Sequence, residues 1–121
     1  ITGMGDTYSD NLQQNKICQG RKLLGFNREV DRVYTQAEPC IRIHDRLNRR
    51  TILVENQNEN AAVIWNPWKE LSHSMADMKD DSYQTMVCVE AAVHALSLEQ
   101  GYKLAPGEHY QLSTCISVLN H

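Results

Sequence analysis

The stretch Thr85-Met86-Val87-Cys88-Val89-Glu90-Ala91-Ala92-Val93 is the most informative part of this chain for its fold. If the stretch is extended, alternation places the even-numbered residues, Glu90 among them, on one face and the odd-numbered ones, mostly valines, on the other. Both faces are apolar except at Glu90. The pattern therefore predicts a central β-strand that is covered on both sides.

Similar short segments, with period-two patterning or β-branched and aromatic residues, occur along the rest of the chain. Gly, Asn, Asp and Pro separate them. Only residues 68–74, after Asn66-Pro67, are typical of a helix. No repeat or long linker divides the sequence. The pattern predicts a single all-β unit, an antiparallel β-sandwich, with strands at residues 17–24, 31–35, 40–44, 50–55, 61–66, 85–93 and 109–119.

Composition excludes several classes of protein. The net charge of −3 and the pI near 5.9 leave no basic stripe for nucleic acid. No apolar run approaches the roughly 20 residues that span a bilayer, so no membrane partner is expected. The four cysteines form no Cys-x-x-Cys pair, and two of them, Cys88 and Cys115, lie in apolar runs. We expect a reduced, soluble, cytoplasmic protein.

Glu90 is the candidate for chemistry. An unpaired carboxylate in a covered strand would lose hydration, which raises its pKa toward neutrality and suits a general base. Alternatively, the strand ends near Glu90, which then reaches solvent or pairs with an arginine. Glu90 and His94 would share one face of a helix and could mimic a metal pair, but the strand pattern and the lack of a third ligand disfavour this reading.

Several short segments, in this order, resemble motifs of the hexose-6-phosphate mutarotases, or glucose-6-phosphate 1-epimerases, in the aldose 1-epimerase family. They span nearly the whole chain, and their order and spacing are more specific than any one of them. The resemblance implies part of a large antiparallel β-sandwich, the galactose-mutarotase-like supersandwich. The segments are Gly3-Met4-Gly5-Asp6-Thr7-Tyr8, Val30-Asp31-Arg32-Val33-Tyr34, Val63-Ile64-Trp65-Asn66-Pro67-Trp68, Met75-Ala76-Asp77-Met78 and Met86-Val87-Cys88-Val89-Glu90-Ala91.

The resemblance also implies a mechanism on a small-molecule sugar phosphate. Glu90 would take the proton from the anomeric hydroxyl while a histidine protonates the ring oxygen, with no metal or other cofactor. Asp31 would hydrogen-bond sugar hydroxyls. From the pattern alone, Asp31 would be a turn-flanking residue or an ion-pair partner of Arg32.

Three other positions have competing interpretations. Trp65 could stack on the pyranose face or be a buried sandwich tryptophan. Asn66 could cap the short helix rather than contact ligand. Arg49 and Arg50 most simply lie on a solvated face rather than clamp a phosphate.

The family's acid histidine and its phosphate-binding arginines would lie before Ile1. None of His44, His73, His94, His109 or His121 occupies the matching position. The chain also begins at Ile1 rather than Met. We therefore expect residues 1–121 to be the C-terminal portion of one domain, inactive alone, with the remainder of the same sandwich covering it. The alternatives are a non-catalytic carbohydrate-binding or regulatory sandwich and a purely structural one.

Overall fold

The computed structural model describes residues 1–121, and β-strands dominate it. One short α-helix, α1, spans Trp68–Ser74, and no helix is long and apolar enough to cross a membrane. The eight strands are β1 (Thr7–Asp10), β2 (Lys16–Gln19), β3 (Val30–Tyr34), β4 (Cys40–Asp45), β5 (Arg50–Gln57), β6 (Ala61–Asn66), β7 (Cys88–Ala92) and β8 (Ser113–Asn120).

The strands form two antiparallel sheets. One has five strands in the order β2-β1-β3-β6-β7, and the other has three in the order β4-β5-β8. The predicted all-β class is confirmed, and β6 and α1 have the predicted bounds. The predicted strands at 17–24 and 109–119 are shorter or shifted, since β2 ends at Gln19 and β8 begins at Ser113.

The core lies between the inner faces of the two sheets. Tyr34 and Ile64 of the five-stranded sheet and Ile41 and Val54 of the three-stranded sheet are almost fully buried. Burying such a side chain stabilises the fold by roughly 1.5–3 kcal/mol relative to leaving it exposed. This packing gives the five-stranded sheet an inner face toward the core and an outer face away from it.

The segment before β1 needs its two glycines. Gly3 has φ +90°, and a Cβ there would lie 2.7 Å from the carbonyl oxygen of Cys40. Gly5 has φ +84°, with a Cβ position 3.0 Å from the carbonyl oxygen of Gln36. Met4 between them is fully buried. The Gly-x-Gly pattern thus anchors the chain where an ordinary side chain would clash or be strained.

Strand β1 was not among the predicted strands. It has only four residues, and two of them, Ser9 and Asp10, are buried although polar. The side chain of Asp10 accepts a hydrogen bond from the Leu12 backbone N–H and begins the 3₁₀ turn Asn11–Gln13. Because polar residues occupy buried positions here, apolar alternation gives no signal.

The prediction that the strand containing Glu90 is central is wrong for this structure. Strand β7 pairs only with β6 and forms one edge of its sheet, where β3 is the middle strand. Alternation alone does not distinguish an apolar edge strand from a central one, because strand order depends on long-range pairing.

Candidate functional site

The pairing register places Asp31, Trp65 and Cys88 in one row across three neighbouring strands. Asp31 of β3 lies opposite Trp65 of β6, and Trp65 lies opposite Cys88 of β7. Directly opposed residues of antiparallel strands project to the same face, with Cβ atoms about 5 Å apart. The row lies on the outer face, because the core residue Ile64 occupies the alternate, inner positions of β6.

Glu90 lies on this same outer face. It is opposite Val63 and two residues beyond Cys88, so its side chain projects to the same side as that of Cys88. From ordinary strand spacing and rise, the backbone positions of Glu90 and Asp31 are roughly 12 Å apart. All three residues predicted for the site, Asp31, Trp65 and Glu90, therefore share one sheet face, which we call the outer site face.

The side chain of Glu90 is exposed, which corrects the expected burial. Its position on an edge strand explains this, since no strand covers it on the side away from β6. Burial raises the pKa of the neighbouring Cys88 thiol, and the negative charge of Glu90 raises that pKa further. Cys88 is therefore held in its neutral form beside the carboxylate.

Asp31 has a partner that the sequence did not reveal. Asn11 donates a hydrogen bond from Nδ2 to Oδ1 of Asp31, at 2.7 Å. Arg32 projects to the inner face instead, where its guanidinium lies 4.0 Å from the centre of the Tyr8 ring. The Asp31–Arg32 ion pair, one of the alternatives, is thus wrong. Asn11 has no recognisable sequence signal because its partner is 20 residues away.

Trp65 is partly buried, so it is neither a fully buried sandwich tryptophan nor a freely exposed stacking surface. Asp31 flanks it on β3 and Cys88 flanks it on β7. A partly buried indole can both stabilise the sheet and offer an apolar face to a ligand.

Asn66 lies one residue before Pro67, the N-cap residue of α1, and its side chain contacts the first residue of the helix. Its Oδ1 accepts a hydrogen bond from the Trp68 backbone N–H at 2.9 Å, while its Nδ2 donates to the carbonyl oxygens of Tyr83 and Met86, both at 2.9 Å. Trp68 has φ +58°, an uncommon conformation for a bulky residue. The edge-on contact of Trp68 with Tyr83, at 4.9 Å between ring centres, helps to hold it there.

Four candidates for acid or phosphate contacts lie on or next to the three-stranded sheet, namely His44, Arg49, Arg50 and His121, whereas His94 lies two residues beyond the end of β7. His44 bonds to Thr2, His121 to Thr51, and His73 pairs with Asp80. Arg50 pairs with Asp45 at 2.8 Å, and Arg49 is exposed at the end of the β4–β5 hairpin, as expected for a solvated face. These two arginines line a cavity of about 260 Å³ on the three-stranded sheet. No group of three or more His, Cys, Asp or Glu side chains could hold a metal ion.

Comparison with known proteins gives consistent matches over nearly the whole chain. The family model described as "Aldose 1-epimerase" matches residues 5–117. A "Putative glucose-6-phosphate 1-epimerase" of Salmonella typhimurium is 37% identical over 120 residues, which are 97% of this chain and 40% of that protein. A protein of the same name from Escherichia coli K12 is 39% identical over 95 residues, which are 76% of this chain and 32% of that protein.

Two solved structures are similar to this fold. The crystal structure of a "putative mutarotase (YeaD)" from Salmonella typhimurium superposes with a TM-score of 0.84 at 33% identity, covering 99% of this chain and 40% of that one. The crystal structure of HI1317 gives a TM-score of 0.77 at 27% identity, covering 98% of this chain and 39% of that one. The chain thus spans about two fifths of these proteins, and its two sheets are part of a mutarotase-like β-sandwich.

Proposed function

We propose, because this chain belongs to the aldose 1-epimerase family, that it is the C-terminal part of a mutarotase acting on an aldohexose 6-phosphate. The observation that supports this most is the common face of Asp31, Trp65 and Glu90, which brings two carboxylates and an indole to one side of the sheet. The 6-phosphate is proposed from the names of the relatives, which specify glucose 6-phosphate.

Glu90 acts as the base in this proposal. Its carboxylate takes the proton from the anomeric hydroxyl, the bond between the anomeric carbon and the ring oxygen breaks, and an acid protonates the ring oxygen. The open aldehyde rotates about its bond to the next carbon and closes with the opposite configuration, which returns both protons. The acid comes from outside residues 1–121. Because one C–O bond breaks and re-forms, protons are exchanged and nothing is oxidised or reduced overall, the steps require no redox cofactor.

Asp31 and Trp65 bind the sugar ring in this scheme. The carboxylate of Asp31 accepts hydrogen bonds from ring hydroxyls, and the bond from Asn11 fixes its orientation. Trp65, directly beside Asp31, presents its ring to the C–H face of the pyranose. The ligand then lies across β3 and β6 with its anomeric centre toward Glu90 on β7.

The remainder of the sandwich is the proposed structural partner. Strand β8 pairs with β5 so that Ile116 lies opposite the core residue Val54, on the same inner face. Ile116 is nevertheless 67% exposed, and Val118, which follows it on this face, is 48% exposed. An uncovered apolar face and an unpaired β7 edge are surfaces that further strands of the same domain would bury.

The test is anomer exchange in the full-length protein, measured by magnetisation-transfer nuclear magnetic resonance on glucose 6-phosphate. We expect Glu90→Gln to lower kcat by about 10²- to 10⁴-fold, the usual contribution of a general base. Glu55→Gln is the matched control, since Glu55 is also an exposed strand carboxylate but lies on the three-stranded sheet. Exchange that is unchanged in Glu90→Gln would remove Glu90 from the mechanism.

A second candidate is a non-catalytic carbohydrate-binding protein. The exposure of Glu90 favours it, because a carboxylate that is open to solvent does not exclude water from a reacting group. The same experiment separates the two. A wild-type protein that binds glucose 6-phosphate by calorimetry but does not accelerate its exchange supports binding alone.

A further inference from the structure

Strand β7, which contains Glu90, has one backbone partner within residues 1–121. Five residue pairs join it to β6, from Ala61 opposite Ala92 to Trp65 opposite Cys88. A strand of five residues forms few backbone hydrogen bonds with its neighbour, so contacts at its two ends contribute strongly to its register. The position of Glu90 therefore depends on what holds the two ends of β7.

Asn66 holds the segment that enters β7. It is the last residue of β6 and only 2% exposed, and its amide uses both donor hydrogens on the Tyr83 and Met86 carbonyl oxygens. Its oxygen accepts from the Trp68 N–H. A buried amide with its partners satisfied is costly to disturb, because each lost partner leaves a desolvated polar group. Met86 is thereby fixed two residues before β7 begins.

Asn60 holds the segment that leaves β7. It immediately precedes β6, and its side chain forms a reciprocal pair with the backbone of His94, donating to O at 2.9 Å and accepting from N–H at 2.7 Å. The backbone N–H of Asn60 also donates to the carbonyl oxygen of Ala92, at 3.1 Å. The side chain thus continues the hydrogen-bonded ladder beyond the last backbone pair.

The two asparagines flank β6 and contact β7 beyond both of its ends, with Glu90 between them. A slip of one residue would move Glu90 to the inner face, away from Trp65 and Asp31. We propose that Asn60 and Asn66 are positioning residues for the reaction, which hold the register of β7 and thereby keep Glu90 on the outer site face. This inference rests on the proposed function, in which Glu90 is the base.

The test is a mutant cycle on kcat in the full-length protein, with anomer exchange as the readout. We expect Asn66→Ala to lower kcat roughly 10- to 100-fold and Asn60→Ala roughly 3- to 10-fold, because small displacements of a reacting group are costly. KM should change less than about threefold, since the sugar-binding residues on β3 and β6 remain in place. Asn60→Asp, which keeps the acceptor for the His94 N–H, should recover part of the loss.

The cycle separates positioning from general destabilisation. In a Glu90→Gln background, Asn60→Ala and Asn66→Ala should cause no further loss of kcat, because the group that they position is absent. Asn56→Ala is the matched control. Asn56 is a buried asparagine of β5 that accepts from Thr114 Oγ1 at 2.9 Å, and its loss should cost stability without affecting kcat.

Two outcomes would overturn the inference: unchanged kcat in Asn60→Ala and Asn66→Ala, or equal losses with and without the Glu90 carboxylate. Asn60 is exposed, so Asn60→Ala and Asn60→Asp provide the test even if Asn66→Ala does not fold. An active Glu90→Gln protein would reject the base itself and with it the inference. An inactive Glu90→Gln protein with normal asparagine variants would reject the inference alone.

Discussion

The two sheets use polar residues in different ways. The five-stranded sheet has carboxylates, an indole and a thiol on its outer site face, supported by side-chain hydrogen bonds such as that from Asn11 to Asp31. In the three-stranded sheet, apolar residues such as Ile41 and Val54 alternate with polar ones, and the apolar set contributes to the core. Under the proposed function, the five-stranded sheet contacts the ligand and the three-stranded sheet contributes mainly to stability.

The largest effect that would test this contrast is the loss of a core side chain from the three-stranded sheet. Ile41 is fully buried, so we expect Ile41→Ala to lower the free energy of unfolding by about 2–5 kcal/mol. Urea unfolding of the full-length protein measures it, and kcat per folded molecule should not change. Leu47→Ala, at an exposed position, is the control and should stay within about 0.5 kcal/mol. A parallel fall in kcat of the folded protein would show that the sheets are not separable.

A smaller effect, on activity rather than on stability, is expected when Asp31 is replaced. Asp31→Asn keeps an oxygen for the bond from Asn11 but removes the charged acceptor. A hydrogen bond to a charged group is worth about 1.5–3 kcal/mol, which corresponds to roughly a 10- to 100-fold loss of kcat/KM. Thermal unfolding should be nearly unchanged. Asp77→Asn, at an exposed turn residue, is the control, and a kcat/KM equal to wild type in Asp31→Asn would exclude Asp31 from the sugar site.

The smallest expected effect is a change in the reactivity of the Cys88 thiol. It is measured against Cys115, which lies on the other sheet. Because the Glu90 charge raises the pKa of Cys88, Glu90→Gln should lower that pKa and increase the thiolate fraction at a fixed pH below it. Alkylation of Cys88 by iodoacetamide, followed by mass spectrometry, should become roughly two- to fivefold faster. Cys115, on β8 of the other sheet, is the internal control. Equal acceleration at both cysteines would indicate general loosening rather than a local charge effect.

The contrast between the two sheets also explains how much of the fold could be predicted from the sequence. Strands β4 and β5 were predicted with nearly correct bounds, because β4 alternates apolar and polar residues and β5 contains the apolar run Ile52-Leu53-Val54. Strand β1 was not predicted, since it buries Ser9 and Asp10, which a pattern of apolar residues does not detect. Local motifs and patterns were enough to select Asp31, Trp65 and Glu90 as site candidates. The hydrogen bonds of Asn11 to Asp31 and of Asn66 to the Tyr83 and Met86 carbonyl groups join residues distant in sequence, so the sequence did not predict them.

By itself, the sequence determined the all-β class, the bounds of β6 and α1 and the presence of residue types suited to sugar chemistry. These properties depend on neighbouring residues, through alternation, backbone sterics and capping. Only the tertiary structure decided that β7 has β6 as its one partner within residues 1–121, that Glu90 is exposed there and that Asp31, Trp65 and Glu90 share one face. Strand order and register are set by pairing between distant segments and by burial of a common core, which no local pattern contains.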